Sequence, residues 1–357
     1  MKNLTSIIIA SFVIILFIAA PFFDVSINKS LSNILVRFGM NGIFVLAMIP
    51  MIQSGCGLNF GLPLGILSGL LGATLSIEFN AEILNWLIIF SRGLNFNEDF
   101  IMLHHEAVIF SSAFFIAVPI AIISGWLYGI LLNTVKGSEM MISIYIGFSA
   151  VSFMCMAWLL IPYKNPVMML GYSGKGLRST ISVENFWLHV LNDSLSININ
   201  EGLYIPTGML IFFMIIALLL WLFTKTKTGT EILIAGSNPD YARASGVNVN
   251  HMRIISVIIS NVLAAVGILV YEQSFGFIQL YNAPFLMALP AAASILIGGA
   301  SVNKANIFNA VIGTFLFQSI LTMTPLIINS AVQSDISDVI RIIISNGIIL
   351  YALTRKK

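Results

Sequence analysis

Few side chains in this sequence are placed to do chemistry. The most metal-like group is His104-His105-Glu106. Adjacent histidines point apart on a helix, whereas a metal needs ligands converging on one point, so the group reads as a solvated turn. Gly171-Tyr172-Ser173-Gly174-Lys175-Gly176 sets glycines beside a lysine. It lacks the preceding strand, the spacing and the Lys-Ser/Thr ending with which a loop wraps a phosphate. Cys56 and Cys155 each lie in an apolar run and read as small buried hydrophobes, not as a disulfide or metal pair. No run joins a nucleophile to a base. Glu78, Glu106, Glu272, Asp335, Asp338 and Arg341 fall near the ends of apolar runs. No carboxylate is therefore expected at mid-depth, where an ion-coupled carrier would keep one. Asp338 and Arg341, three apart, suit a pair on one helix face. The polar groups inside the runs are neutral: Asn41, Gln53, Asn59, Asn261, Gln318 and Asn346. A buried amide needs partners, from a neighbouring helix or from a water-filled path. Together these side chains point away from catalysis and toward passage of a neutral, hydroxyl-rich solute.

The elements that hold them are apolar. Of 357 residues 58% are hydrophobic and 9% charged, where soluble domains carry about 25% charged residues. A mean hydropathy of +0.97 belongs to a chain whose outer face meets lipid. The net charge of +2 gives no footprint for nucleic acid. A membrane helix needs roughly 20 apolar residues, and shorter or broken spans occur in transporters. Ten runs qualify: Ser6–Phe23, Ile34–Gln53, Leu58–Ile77, Val108–Thr134, Met140–Pro162, Ile205–Thr224, Ile254–Tyr271, Pro284–Gly299, Ala305–Pro325 and Ser337–Leu353. The first is longer than a signal-peptide core and no Ala-x-Ala-like site follows it, so it is expected to be retained. The expected fold is an all-α polytopic membrane bundle of about ten transmembrane helices with two related halves, forming one domain over residues 1–357.

Ten spans put both termini on one side. With that side inside, the inner segments hold Lys2, Lys136, Lys225, Lys227, Arg243, Arg253, Lys304, Arg355, Lys356 and Lys357. The other seven basic residues are spread over much longer outer segments, so density places the termini in the cytoplasm. Residues 79–107 and 165–204 become extracytoplasmic insertions, and Ala81–Leu87 is amphipathic enough to lie along the membrane surface. Gln273 and Gln279, with Phe275 and Phe277, fall at the outer mouth. Asn59 and Phe60, beside a helix break expected at Pro63, suggest a gate like those of broken helices at transport sites. The expected path residues are Asn41, Gln53, Asn59, Phe60 and Gln318.

The inner segment 225–253 carries the most information. Asn238 suits an N-cap, Pro239 the first helical position, and Asp240 the positive end of the helix dipole. A helix of about two turns follows through Tyr241, Ala242, Arg243 and Ala244, and Gly246 ends it. So short a helix is not stable alone in water, so it needs a surface to pack on.

This stretch resembles the coupling segment of permeases from importers driven by an ATP-binding cassette (ABC). It is closest to the branch with ribose-type sugar, nucleoside and branched-chain amino acid permeases. There a Gly-x-Asn-x-x-Ala-Ala/Arg-x-x-Gly pattern forms the helix that seats in the ATPase. Gly236, Asn238, Ala242, Arg243 and Gly246 match it here, followed by Val-x-Val and Arg253. The likeness continues through Asn261–Gly267, Ile295–Ala300 and Ile312-Gly313-Thr314. It covers most of the second half, and the first half by hydropathy.

The resemblance implies a transport subunit, not an enzyme, in a bacterial cell membrane. Residues Gly236, Ser237, Asn238, Pro239, Asp240, Tyr241, Ala242, Arg243, Ala244 and Gly246 would dock on ATPase subunits. This chain would bind no cofactor, and ATP and Mg would sit on those partners. An extracytoplasmic solute-binding protein would deliver the solute. Sugar permeases of this branch carry Gly-Gly-Ile-Asp-Leu-Ser-Val-Gly after the second span, whereas this chain reads Gly55-Cys56-Gly57-Leu58-Asn59-Phe60-Gly61-Leu62-Pro63-Leu64-Gly65. Asn59 replaces the acid and Gly61 the serine. That departure suggests a second permease subunit of different sequence as partner. Branched-chain amino acid import and a stand-alone ion-coupled carrier are the rival expectations.

Overall fold

A computed structural model of the chain describes residues 4–93, 103–135, 137–169, 176–199, 202–281, 283–332 and 337–354. The glycine string at 171–175, Asp335 and the side chain of Asp338 lie outside the described residues.

Each of the ten expected runs contains a helix, though the third becomes helical only at Leu62 and the ninth at Ile307. The helices are α1 (Leu4–Ala19, extended by a 3-10 turn, Ala20–Phe23), α2 (Ile27–Gln53), α3 (Leu62–Glu78), α4 (Asn80–Gly93), α5 (His105–Thr134), α6 (Glu139–Leu160), α7 (Thr207–Lys225), α8 (Lys227–Ser237), α9 (Pro239–Ala244), α10 (Val249–Phe275), α11 (Ala283–Ile297), α12 (Ile307–Val332) and α13 (Ser337–Thr354). Among the described residues, seven spans are long and apolar enough to cross a bilayer: α1 with its 3-10 turn, α2, α5, α6, α7, α10 and α12. Helix α3 passes the same test together with α4, from which it is bent by 72°, and α11 is a shorter apolar helix. The chain is an all-α polytopic membrane protein.

Burial sorts the helices into two shells. The most apolar window of α2 is 78% buried and that of α12 72%, against 17% for α1. Outward-facing side chains such as Phe115, Trp126, Phe153 and Leu160 are apolar and exposed, as a lipid-facing shell requires. Inside, small residues let helices approach closely. Gly65 and Gly69 of α3 lie on α10 at Asn261, Ala264 and Ala265, and Gly72 lies on Ala113 and Ala117 of α5.

Contacts between segments define two ends of the bundle. At one, called basal here, Gly55 meets Gly236, Gln53 Nε2 donates to Ala305 O at 3.0 Å, and Asn133 Nδ2 donates to Asn250 O at 2.9 Å. At the other, the distal end, the Glu78 carboxylate accepts the N–H groups of Lys164 and Asn165 at 2.8 and 3.0 Å. Helix α2 runs toward the basal end and α10 away from it. Each has 27 residues, ends in a break, and is followed by a shorter buried helix, α3 of 17 residues and α11 of 15.

The described residues of the distal insertion carry short strands that tie into the bundle. Strand β1 (Thr180–Ser182) pairs antiparallel with β4 (Phe277–Gln279), and β2 (Ile197–Asn198) with β3 (Tyr204–Ile205). Ile181, Val183 and Trp187 are buried in the main core.

Candidate functional site

Helix α9 stands on the basal surface, held by local chemistry at both ends. Asn238 is extended (φ −150°, ψ 90°), and its Oδ1 accepts the N–H of Tyr241 at 3.0 Å. Pro239 occupies the first turn, where its missing N–H leaves nothing unsatisfied. At the other end Gly246 takes φ +81°, with Gly246 N–H to Arg243 O at 3.1 Å and Val247 N–H to Ala242 O at 2.9 Å. Those two bonds form a Schellman motif, and only glycine enters this backbone region freely. Asp240 and Arg243 pair at 2.7 Å but remain 94% and 55% exposed, so the pair contributes little to stability. Ala242 is the one fully buried side chain of the helix; Ser237, Asn238, Pro239, Asp240, Tyr241, Arg243 and Ala244 are exposed. The helix is built to present its surface.

Its mount is α8. Thr226 caps α8 by accepting from Gly229 N–H at 3.2 Å, and Asn238 ends it while starting α9. Ile232 and Ala235 of α8, Ala242 of α9 and Val249 and Met252 of α10 form one apolar cluster. Gly236 packs backbone to backbone on the segment after α2. A Cβ there would collide with Gln53 O and come within 2.7 Å of Gly55 N.

That segment, residues 54–61, leads into a buried polar junction. Gly55 and Gly57 adopt φ +78° and +80°, which turn the chain between α2 and α3. Asn59 is fully buried. Its Nδ2 donates to Ser260 Oγ at 2.7 Å, and Ser260 Oγ donates to Ala47 O at 2.5 Å. Tyr128 Oη lies 3.3 Å from Asn59 Oδ1 and donates to Ser143 Oγ at 2.7 Å. Asn59 thus ties α2, α5, α6 and α10 at one point. A buried amide so placed fixes geometry, because moving it takes the donor away from Ser260 Oγ.

The other expected path residues are scattered. Phe60 is buried beside Asn59. Gln53, at the end of α2, bridges to Ala305 before α12. Asn41 is half-buried and its Nδ2 donates to Arg37 O, one turn back, at 2.9 Å. Gln318 is buried on α12. Asn59 and Phe60 are brought together; Asn41 and Gln318 lie on other helices away from them. Asn261 is buried, and neither amide atom meets a partner among the described residues.

Three sequence readings need correction. Pro63 does not break a helix: it sits in the first turn of α3, where proline is tolerated, and the glycines at 55 and 57 make the break. Glu272 is not at a surface. Helix α10 continues to Phe275, so the carboxyl is buried, and neither oxygen meets a hydrogen-bond partner among the described residues. The expectation that no carboxylate is buried therefore fails. Gln273 is not a mouth residue; it is buried, and its Nε2 donates to Asn192 Oδ1 at 3.0 Å, anchoring the distal insertion.

Two features escaped sequence reading. Helix α8 was signalled by Thr226 as a cap, Lys227 and Glu231 four apart, and Ile232 and Ala235 three apart. The Arg253–Glu139 ion pair was signalled only by opposite charges at the basal starts of two spans.

A family model described as the permease component of the branched-chain amino acid transport system matches residues 30–349. The nucleoside ABC transporter permease protein NupB of Lactococcus lactis is 24% identical over 235 residues, covering 62% of this chain and 60% of that protein. The autoinducer 2 import system permease protein LsrC of Photorhabdus luminescens is 28% identical over 170 residues, covering 46% of this chain and 50% of that protein. LsrC of Yersinia pestis is 32% identical over 117 residues, or 32% of this chain and 33% of that protein. The chain thus spans 60% of the first of these curated relatives and half or less of the others. No solved structure is significantly similar to it. With a match running from the start of α2 into α13, the chain belongs to the family of permease components of branched-chain amino acid transport systems.

Proposed function

We propose that this chain is the permease subunit of an ATP-binding-cassette importer and forms the translocation path for a small neutral solute such as a simple sugar or nucleoside. The observation that carries the reading is the basal helix Pro239–Ala244, capped at both ends, exposed along its polar side, and mounted firmly through Ala242. The names of the relatives NupB and LsrC support a nucleoside or sugar-like solute. The family description gives branched-chain amino acids as the second reading.

In this reading the whole chain is one permease domain, the basal end faces the cytoplasm, and both termini lie there. Residues 236–246 dock on the ATPase subunits, which hold ATP and Mg and perform the hydrolysis. ATP binding draws two such helices together and shifts the bundle between inward-open and outward-open states, the energy coming from the partners' preference for one of them. Helix α4 and the 165–204 insertion face outward, toward a solute-binding protein. Asn59 and Phe60 close the path at the break, and Asn41, Gln53 and Gln318 line it in the open states. The second permease subunit is a chain of different sequence.

Reconstitution into vesicles tests the reading. Uptake of labelled uridine or ribose should require ATP and a co-purifying ATPase, and should vanish when residues 236–246 are replaced by a glycine-serine linker. Uptake by this chain alone on an ion gradient would refute it. A purified complex holding two identical copies would remove the unlike partner.

A further inference from the structure

The docking helix is held on α8 and the start of α10. Ala242 shares its cluster with Ile232 and Ala235 of α8 and with Val249 and Met252 of α10. Asn248 caps α10 directly after Gly246, its Oδ1 accepting His251 N–H at 3.1 Å. Helices α8 and α9 and the first turn of α10 therefore form one solid piece, and whatever displaces α9 displaces that turn.

Arg253 stands there, 8% exposed. Its Nη2 donates to Oε1 of Glu139, the first residue of α6, and its Nε donates to Cys56 Sγ at 3.2 Å. Glu139 Oε2 accepts the N–H of Gly137 at 3.0 Å. From the Glu139 carbonyl the contacts continue inward: Ser143 Oγ donates to it at 2.6 Å, and Ser143 accepts Tyr128 Oη, beside Asn59. A run of polar contacts thus connects the basal surface to the buried junction. A pair this buried is weak evidence for stability, since losing water offsets much of the attraction; the better-attested use of such a pair is to fix register. By contrast, the Arg243–Asp240 pair on the docking helix stands in solvent.

We propose that Arg253 and Glu139 are positioning residues that carry movement of the docking helix to the Asn59 junction, so that nucleotide events on the partners open and close it. The inference rests on the importer reading above. Neither side chain touches the solute. Cys56, 2% exposed beneath the guanidinium, reports whether the link is closed.

The test uses the complex with its co-purifying ATPase in a Cys155→Ser background, where Cys56 is the single thiol of this chain. The rate of Cys56 labelling by a hydrophilic maleimide is followed with and without ATP and vanadate, alongside ATP hydrolysis. The parent chain should show labelling that changes with nucleotide. Arg253→Gln and Glu139→Gln should raise labelling about tenfold or more, because losing one partner of a buried pair opens the site. They should also make labelling indifferent to nucleotide while hydrolysis continues. Arg253→Lys, which keeps the charge, should restore part of the response, and it carries the test if the glutamine variants do not fold. A nucleotide-responsive parent together with equally responsive R253Q and E139Q chains overturns the inference alone. A parent chain that binds no ATPase and ignores nucleotide overturns the importer reading and the inference with it.

Discussion

Replacing Gly236 by alanine puts a methyl group where the backbone of another segment already lies. The added Cβ would stand 2.7 Å from Gly55 N and 2.7 Å from the carbonyl carbon of Ser54, and closer still to Gln53 O. None of these atoms belongs to a side chain that can rotate away, and Gly55 is already held at φ +78°. Helix α8 must therefore back off. Overpacking of this kind costs about 1–3 kcal/mol, which at about 1.4 kcal/mol per decade lowers the seated population by about five- to 150-fold. Thr230→Ala, on α8 but outside residues 236–246, is the control: the side chain is exposed and its Oγ1 donates to Thr226 O at 3.0 Å, so it should stay within about twofold of the parent. ATP-driven uptake in vesicles is the assay, with ATPase co-purification showing that the complex still assembles. G236A at parental rates, in an assembled complex, would refute the argument that this close approach seats α8 for transport.

Other substitutions probe separate parts of the structure. Asn238→Ala removes the cap on Tyr241 N–H and should destabilise α9 by about 1 kcal/mol; hydrogen exchange at 239–244 should quicken, and Asn238→Asp should preserve protection. Asn59→Leu removes the donor to Ser260 Oγ, and should lower stability in detergent by about 1 kcal/mol; an unchanged melting temperature would remove Asn59 as the organising contact. Glu272→Leu deletes a buried carboxyl that meets no hydrogen-bond partner among the described residues, and should stabilise the purified chain by about 1–3 kcal/mol. A lower melting temperature for that variant would refute the argument that the buried carboxyl costs the fold stability.

Local signals in the sequence were legible because local physics controls them. Asn238, Pro239 and Gly246 start and stop α9 through bonds to residues no more than five away, and the ten apolar runs follow from composition alone. Both cysteines are free, Cys56 buried as its apolar setting suggested and Cys155 only half-buried. What hydropathy could not supply was depth. It ended the seventh run at Tyr271, whereas α10 continues through Glu272 and Gln273, because folded chain around Asn192 covers the helix end. Nor could it reveal that Asn59 bonds Ser260, or that Arg253 meets Glu139, since those partners are 201 and 114 residues apart. Path residues in the sequence reading were chosen for polarity; the structure shows that polarity at Asn59 already spent on neighbours.

Helix α10 joins the two faces of the protein. Its 27 residues span about 40 Å. Its first turn is fused to the piece bearing Pro239–Ala244, while its last turn bonds Asn192 through Gln273 and leads straight into the strand that holds Thr180–Ser182. A rod clamped at both tips cannot shift at one without loading the other. If the basal helix is the docking site proposed above, whatever settles on the far surface loads it through this rod, and by reciprocity the near surface loads the far one.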